Sequence, residues 1–187
     1  VKIGEVPKTS WSSEKALNFK PKLITLAALI IGLFLFGLGE ALLVTSQMGV
    51  SPWTALAQGL SNVTGSGLGL ATFIISVFVL LLWIPLKQRP GIGTILNAII
   101  ISLTLHYAIP FMPIFEQNIL RISQAILGVF VTGLGGGIYL IANLGPGARD
   151  GLMTGMQRIT NFPIAWVRSS IEIMVLTVGW LLGGVIG

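Results

Sequence analysis

Residues 23–45 read LITLAALIIGLFLFGLGEALLVT, an apolar run whose one charged residue is Glu40. A helix rises about 1.5 Å per residue, so a run of this length crosses the roughly 30 Å hydrocarbon core of a bilayer. The rest of the chain is similar, since 53% of its 187 residues are hydrophobic and only 9% are charged. Soluble domains carry about a quarter charged residues. The sequence therefore predicts an all-α, multi-spanning membrane protein.

Four more apolar runs follow, each bounded by glycine, proline or basic residues. They predict membrane spans at residues 68–86, 91–109, 120–143 and 163–182. The first of these ends at Pro85 and a basic pair, Lys87 and Arg89.

Two short helices are expected between the spans. Gly49 suits a helix end, Ser51 an N-cap and Pro52 the first helical position, so a helix should run from Ser51 to about Thr64. A second break at residues 145–151 precedes another short helix that ends at Thr160. Both helices are too short to cross a bilayer comfortably.

The two halves of the chain match without a gap when residue n is aligned with n+96. Glycines at breaks coincide, as in Gly37 with Gly133 and Gly49 with Gly145. Each unit then reads as span, broken short helix, span and span. The second unit stops at Gly187, so its last span is expected to be missing, through truncation or because a partner supplies it, and truncation is favoured. The predicted organisation is a tail (1–21), a first membrane repeat (22–112) and a second one (113–187).

Charge sets the expected orientation. Five lysines precede the first span, at positions 2, 8, 15, 20 and 22. Basic flanks face the cytoplasm, so we expect a cytoplasmic N-terminus, with a short interfacial helix around residues 11–19. An odd number of crossings per unit inverts the second unit, and inverted repeats with broken helices are typical of transporters. Nucleic-acid binding is disfavoured because no basic patch with interleaved aromatics follows.

Several motifs resemble those of the YczE/YitT-like bacterial membrane proteins. They are LGEAL (38–42), GVSPW (49–53), LWIPLKQRPGIGT (82–94) and GPGARDGLMTG (145–155). The resemblance covers residues 23–187 and implies a multi-pass protein of the bacterial cytoplasmic membrane. It implies no defined activity. It also implies that related chains continue past Gly187 and carry an acidic residue in place of His106.

Polar residues at the breaks are the candidate site. Arg149 and Asp150 begin the second short helix, where Asp150 is either a cap and dipole partner or part of a cluster that meets an anionic solute. Trp53 and Thr54 are their equivalents in the first unit, next to Ser51. The two units have diverged here, which suits an asymmetric site and is equally explained by drift.

Three of the charged residues inside the predicted spans are candidate site residues. Arg168 and Glu172 are four apart and share a helix face. Charges inside a membrane usually face a partner or a cavity, although Arg168 near the interface would simply snorkel. Glu40 and Glu172 are candidates for proton coupling, or for neutral hydrogen-bonded acids. The candidate substrate-binding set is Glu40, Ser51, Trp53, Thr54, Arg149, Asp150, Arg168 and Glu172.

Enzymatic and metal chemistry find little support in the sequence. There is no cysteine and only one histidine, His106, which is read as an interfacial residue rather than a ligand. No nucleophile or metal motif occurs, so no cofactor and no metal site are expected. The glycine clusters at 37–39 and 133–137 are assigned to close helix packing rather than to phosphate binding.

Two functions remain open at this point. A secondary transporter or exporter of a small solute, amphipathic or anionic, is favoured by the repeat, the breaks and the intramembrane charges. A non-transporting scaffold or assembly partner is the alternative, and it would explain the scarcity of ionisable groups. The expected partners are the lipid bilayer and a small-molecule substrate. Small-residue helix faces fit a homo-oligomer and packing within a monomer equally well.

Overall fold

The computed structural model describes residues 9–186, which form seven α-helices, one 3-10 turn and no strand. The helices are α1 (Leu23–Ser46), α2 (Pro52–Thr64), α3 (Leu68–Leu82), α4 (Ile92–Ala108), α5 (Asn118–Ala142), α6 (Ala148–Thr160) and α7 (Ile164–Leu181), and the 3-10 turn is Ile109–Phe111. Helices α1, α4, α5 and α7 are long and apolar enough to cross a membrane. The pair α2–α3 passes the same test jointly, with a bend of 114° between its members. The protein is therefore an all-α, multi-pass membrane protein.

The first break forms as the sequence predicts. Helix α1 ends in a left-handed residue, Gln47, and Gly49 has φ 130°, a value that favours glycine. Ser51 then caps α2 by accepting a hydrogen bond from the Thr54 backbone N–H, and Pro52 occupies the first helical position. A left-handed Gly65 ends α2.

The second break repeats this backbone path 96 residues later. Helices α2 and α6 each contain 13 residues and begin at equivalent positions, 52 and 148. The left-handed residues of the described chain also fall into equivalent pairs, which are Gln47/Asn143, Gly49/Gly145, Gly65/Asn161 and Lys87/Gly183. The two halves thus follow the same course through helix, break, short helix and helix.

Helices α1 and α5 pack antiparallel against each other. At one end, the Arg121 side chain near the start of α5 donates to the carbonyl oxygens of Ser46 and Gln47, at 2.9 Å each. At the other end, the N-terminal tail joins the end of α5 to the start of α1. There Asn143 Nδ2 donates to the Ser13 carbonyl at 2.8 Å, and Thr25 Oγ1 donates to the Trp11 carbonyl at 2.5 Å.

Glycines let α1 and α5 approach backbone to backbone. A methyl group on Gly39 would lie 2.7 Å from the Gly128 carbonyl oxygen, and one on Gly135 would lie 2.6 Å from the Gly32 carbonyl oxygen. The packing role predicted for the two glycine clusters is confirmed at these positions. Gly133 and Gly137 differ, because nothing lies within 4 Å of where their side chains would begin.

Two apolar cores hold the remaining helices. One lies among α2, α3, α6 and α7 and contains Trp83, whose Nε1–H donates to the Ala148 carbonyl at 3.0 Å. The other lies among α1, α4 and α5 and contains Leu29, Leu33 and Leu105. The polar residues of the two breaks lie where these cores meet.

Two sequence predictions about local structure were wrong. Helix α3 ends at Leu82 rather than at residue 86, and turns continue to Lys87. Pro85 explains the difference, because it lacks an N–H and disfavours helical geometry in the residue before it. Residues 11–19 form turns and bends rather than an interfacial helix. Their backbone is held instead by the contacts of Trp11 and Ser13 with the helix ends.

Candidate functional site at the two helix breaks

A polar cavity of about 500 Å³ opens between the first turns of α2 and α6. Seven of the eight predicted site residues line it, namely Glu40, Ser51, Trp53, Arg149, Asp150, Arg168 and Glu172. The eighth, Thr54, is buried directly behind Glu40. The folded chain thus brings residues from four helices and one helix cap to a single site.

Hydrogen-bonded hydroxyl groups support the Glu40 carboxylate. Glu40 is only 5% exposed, and its Oε2 accepts a hydrogen bond of 2.6 Å from Thr54 Oγ1. Thr54 Oγ1 already donates its proton to Glu40. The hydroxyl group of Ser51 is therefore the donor in its 2.8 Å hydrogen bond with Thr54 Oγ1. Ser51, placed in the sequence as a helix cap, therefore also fixes the orientation of a buried acid. Oε2 of Glu40 is thus hydrogen-bonded to Thr54, and Glu40 is also one of the residues that line the cavity.

Arg149 presents a guanidinium group that is available to a ligand. It lies over the ring of Trp53, with Cζ 5.4 Å from the ring centroid, in the geometry of a cation–π contact. Among residues 9–186 it forms no hydrogen bond and no ion pair. Burial lowers the pKa of this guanidinium, and the nearby carboxyl groups of Glu40 and Asp150 act in the opposite direction. Its planar set of N–H donors matches carboxylate, sulfate and phosphate groups.

Asp150, in the first turn of α6, is held by a hydrogen bond from a residue of α5. Tyr139 Oη donates to its Oδ2 at 3.1 Å. The N-cap of α6 is Gly147, which supplies no side chain to the helix end. A methyl group there would lie 3.2 Å from Asp150 Oδ2 and 3.4 Å from Tyr139 Oη, so glycine makes room for this contact. The predicted capping role of Asp150 is wrong, because no side chain caps α6, although Asp150 does lie in the first turn, where a carboxylate suits the helix dipole. It also lines the cavity.

Arg168 and Glu172 form an ion pair at the rim of the cavity. Nε of Arg168 lies 2.9 Å from Oε1 of Glu172, which confirms that they share a helix face. Their side chains are 64% and 33% exposed, respectively. Each of these charges is already paired, unlike that of Arg149. The pair is therefore less suited to binding a ligand's charge than Arg149 is.

Two buried polar atoms in the cavity wall have no protein partner. They are Nε1 of Trp53 and Oγ1 of Thr72, and the two residues are 6% and 4% exposed. Buried donors and acceptors are almost always hydrogen-bonded in folded proteins. Both residues border the cavity, but the two unpaired atoms are themselves covered by protein.

Sequence reasoning missed four polar residues of the cavity wall. Thr72 and Ser76 are the equivalents of Arg168 and Glu172 at an offset of 96, so the repeat contained the signal for them. Asn97 and Tyr139 had no such signal, because no polar residue of the other unit corresponds to them within the chain. Six equivalent pairs line the cavity in all: Glu40/Gly136, Ser51/Gly147, Pro52/Ala148, Trp53/Arg149, Thr72/Arg168 and Ser76/Glu172.

Metal ligation has no visible support in the part of the chain that the structure describes. No group of three or more His, Asp or Glu side chains there is arranged to hold an ion. His106 lies away from the polar cavity, with its ring edge-on to Tyr107 at a centroid distance of 4.9 Å.

Comparison with known proteins places the chain in a family. A model described as a family of unknown function, DUF6198, matches residues 23–187. An uncharacterized protein of Haemophilus influenzae is 39% identical over 186 residues, which cover 100% of this chain and 84% of the relative. The uncharacterized membrane protein YczE of Bacillus subtilis is 30% identical over 161 residues, which cover 83% of this chain and 74% of YczE. No solved structure matches. The chain thus belongs to the DUF6198 family, a YczE-like family of membrane proteins.

Proposed function

We propose that this protein is a secondary transporter of a small solute that carries an anionic group, and that it is not an enzyme. The observation that carries the proposal is the single polar cavity bounded by the first turns of both short helices. Transporters bind their solutes at such discontinuous helices, where the positive ends of helix dipoles face the ligand. The partner is then a small molecule rather than a macromolecule.

We further infer that the two halves are inverted repeats. Matching helix bounds and matching left-handed residues support a duplication at an offset of 96. The antiparallel packing of α1 on its equivalent α5 supports the inversion. Six pairs of equivalent residues around the cavity support a site on the pseudo-two-fold axis. A site on that axis is reached equally well from either side when one half rocks against the other.

The cytoplasmic membrane is the proposed location, with the N-terminus inside. The lysine-rich tail and the basic residues Lys87 and Arg89 then face the cytoplasm. The uncharged first break and the loop before α5 face outward.

Within the cavity, Arg149 is the anchor for the anionic group. It is the one cationic side chain of the cavity wall that lacks a partner among the residues described. Glu40 and Asp150 border the same cavity as this guanidinium and favour its charged form. An incoming anion competes with these two acids for the same charge, which favours release as well as binding.

Counterflow in proteoliposomes tests the proposal without requiring knowledge of the coupling ion. Vesicles are preloaded with an unlabelled solute and diluted into the same solute in labelled form. Carboxylates, alkyl sulfates and phosphate monoesters are assayed separately, and tetraalkylammonium cations serve as the charge control. We expect protein-dependent uptake for at least one anionic class and none for the cations. Uptake of cations alone would reject an anionic solute, and uptake of no solute in any class would reject transport in favour of a non-transporting scaffold.

A further inference from the structure

A second cavity lies beside the polar one and has the opposite chemistry. It has a volume of about 510 Å³, and its lining consists entirely of apolar side chains from α2, α3, α6 and α7. Phe78 on α3 and Met174 on α7 form its outer edges and are 61% and 60% exposed, respectively. In a bilayer these residues face lipid, so this apolar groove opens sideways into the membrane.

The two cavities meet at Trp53, which is the residue they share. Arg149 lies over the Trp53 ring on the polar side. The boundary elsewhere runs along three helices, where one residue lines the groove and the next lines the polar cavity. These neighbours are Ile75/Ser76, Leu152/Met153 and Ile171/Glu172. Polar and apolar space thus lie on adjacent faces of these helices, and Trp53 borders both cavities.

The chemistry of the paired cavities defines their ligand. A small hydrophilic anion would pair with Arg149 but leave the apolar groove unused. A purely apolar molecule would fill the groove but leave the guanidinium without a partner. A molecule with one anionic group and one apolar chain satisfies both. Each cavity also falls within the range of about 300–1,000 Å³ that is usual for small-molecule sites.

We propose that the transported solute is a single-chain amphipathic anion. Its carboxylate, sulfate or phosphate group is held by Arg149, and its apolar chain lies in the groove between α3 and α7, beside Trp53. This inference rests on the proposed function and names the substrate class for that same site. The sideways opening gives the chain a route from the bilayer while the head group stays in the polar cavity.

The test is a chain-length series in the counterflow assay, with n-alkyl sulfates from ethyl to octyl below their micellar concentrations. Burial of one methylene group from water contributes about 0.8 kcal/mol, so the KM should fall about fourfold for each added methylene until the groove is filled. Met174→Trp fills the groove and should raise the KM for octyl sulfate more than tenfold, with little change for ethyl sulfate. Ile173→Trp is the matched control, because Ile173 is 65% exposed on the same helix but lies outside the groove.

The possible outcomes distinguish a failure of this inference from a failure of the proposed transport function. Equal KM values for ethyl and octyl sulfate would overturn the amphipathic substrate while leaving anion transport intact. Equal effects of the two tryptophan variants would show that the groove holds bilayer lipid rather than the solute chain, and would also overturn the inference. Absence of counterflow with every sulfate, carboxylate and phosphate would reject the proposed function itself.

Discussion

Replacement of Arg149 by glutamine is expected to lower the initial rate of anion counterflow about 100-fold at low solute concentration. Glutamine keeps some donor capacity, but its side chain is shorter and carries no charge. Hydrogen bonds to charged groups contribute about 1.5–3 kcal/mol, and 1.4 kcal/mol corresponds to a factor of ten in binding. Arg149→Lys should give an intermediate loss, because lysine keeps the charge but loses the planar donor set and the stacking on Trp53.

The matched control for this prediction is Arg158→Gln. Arg158 lies in the last turn of the same helix, is exposed, and does not border the polar cavity. Its replacement should leave at least half of the counterflow rate. If Arg149→Gln and the wild type gave comparable rates at equal protein incorporation, Arg149 would not be a binding residue. Equal losses in the Arg149 and Arg158 variants would point to a general effect of net charge.

Gly135→Leu is expected to have the largest effect on stability, about 3 kcal/mol or more of destabilisation. Even the first carbon of a side chain at Gly135 would lie 2.6 Å from the Gly32 carbonyl oxygen and would also contact the Phe36 backbone. Backbone atoms of a packed helix have no alternative rotamer to adopt, so α1 and α5 must separate. The free energy of unfolding of the purified protein, measured by titration with a denaturing detergent, reports this loss.

Gly133→Leu provides the control on the same helix. Position 133 has nothing within 4 Å of a new side chain, so no packing is lost there. Leucine also has a helix propensity better than that of glycine by somewhat under 1 kcal/mol. This variant should therefore be as stable as the wild type or slightly more so. Equal destabilisation by the two leucines would contradict the role assigned to the α1–α5 contact.

The helix breaks were predictable from sequence because the deciding interactions are local. Ser51 and Pro52 define the start of α2, and Gly65 defines its end, all within a few residues of the turn they form. The path of residues 11–19 was not predictable in this way. It depends on hydrogen bonds of Ser13 with Ala142 and Asn143, which are separated from it by almost the whole chain.

The same distinction between local and long-range interactions decides which parts of the candidate site were predictable. Charged residues in apolar helices are conspicuous, so Glu40 and Glu172 were found from sequence, and Arg149 was found from its place at the second break. Thr54 was selected as the partner of Asp150 in the repeat, yet its role in the structure is to donate a hydrogen bond to Glu40, a contact made only after α1 and α2 fold together. The apolar groove carried no signal, because the residues that line it resemble ordinary lipid-facing side chains.

Cysteine accessibility tests the central claim, that the polar cavity opens alternately to the two sides of the membrane. The chain contains no cysteine, so single replacements carry no background. Ser76 and Asn97 are suitable positions because both line the cavity and both are partly exposed. Gly151 is unsuitable, since a side chain there would collide with Trp83. Ser10 in the tail and Gln117 before α5 are exposed and serve as controls.

The measurement is the labelling rate of Ser76→Cys and Asn97→Cys with an impermeant maleimide, in whole cells and in inside-out vesicles. The transport account predicts that both cavity cysteines react in both preparations. Gln117→Cys should react only in whole cells, and Ser10→Cys only in inside-out vesicles. Reaction of both cavity cysteines from one side alone, with the controls behaving as expected, would contradict alternating access and leave the cavity as a fixed pocket.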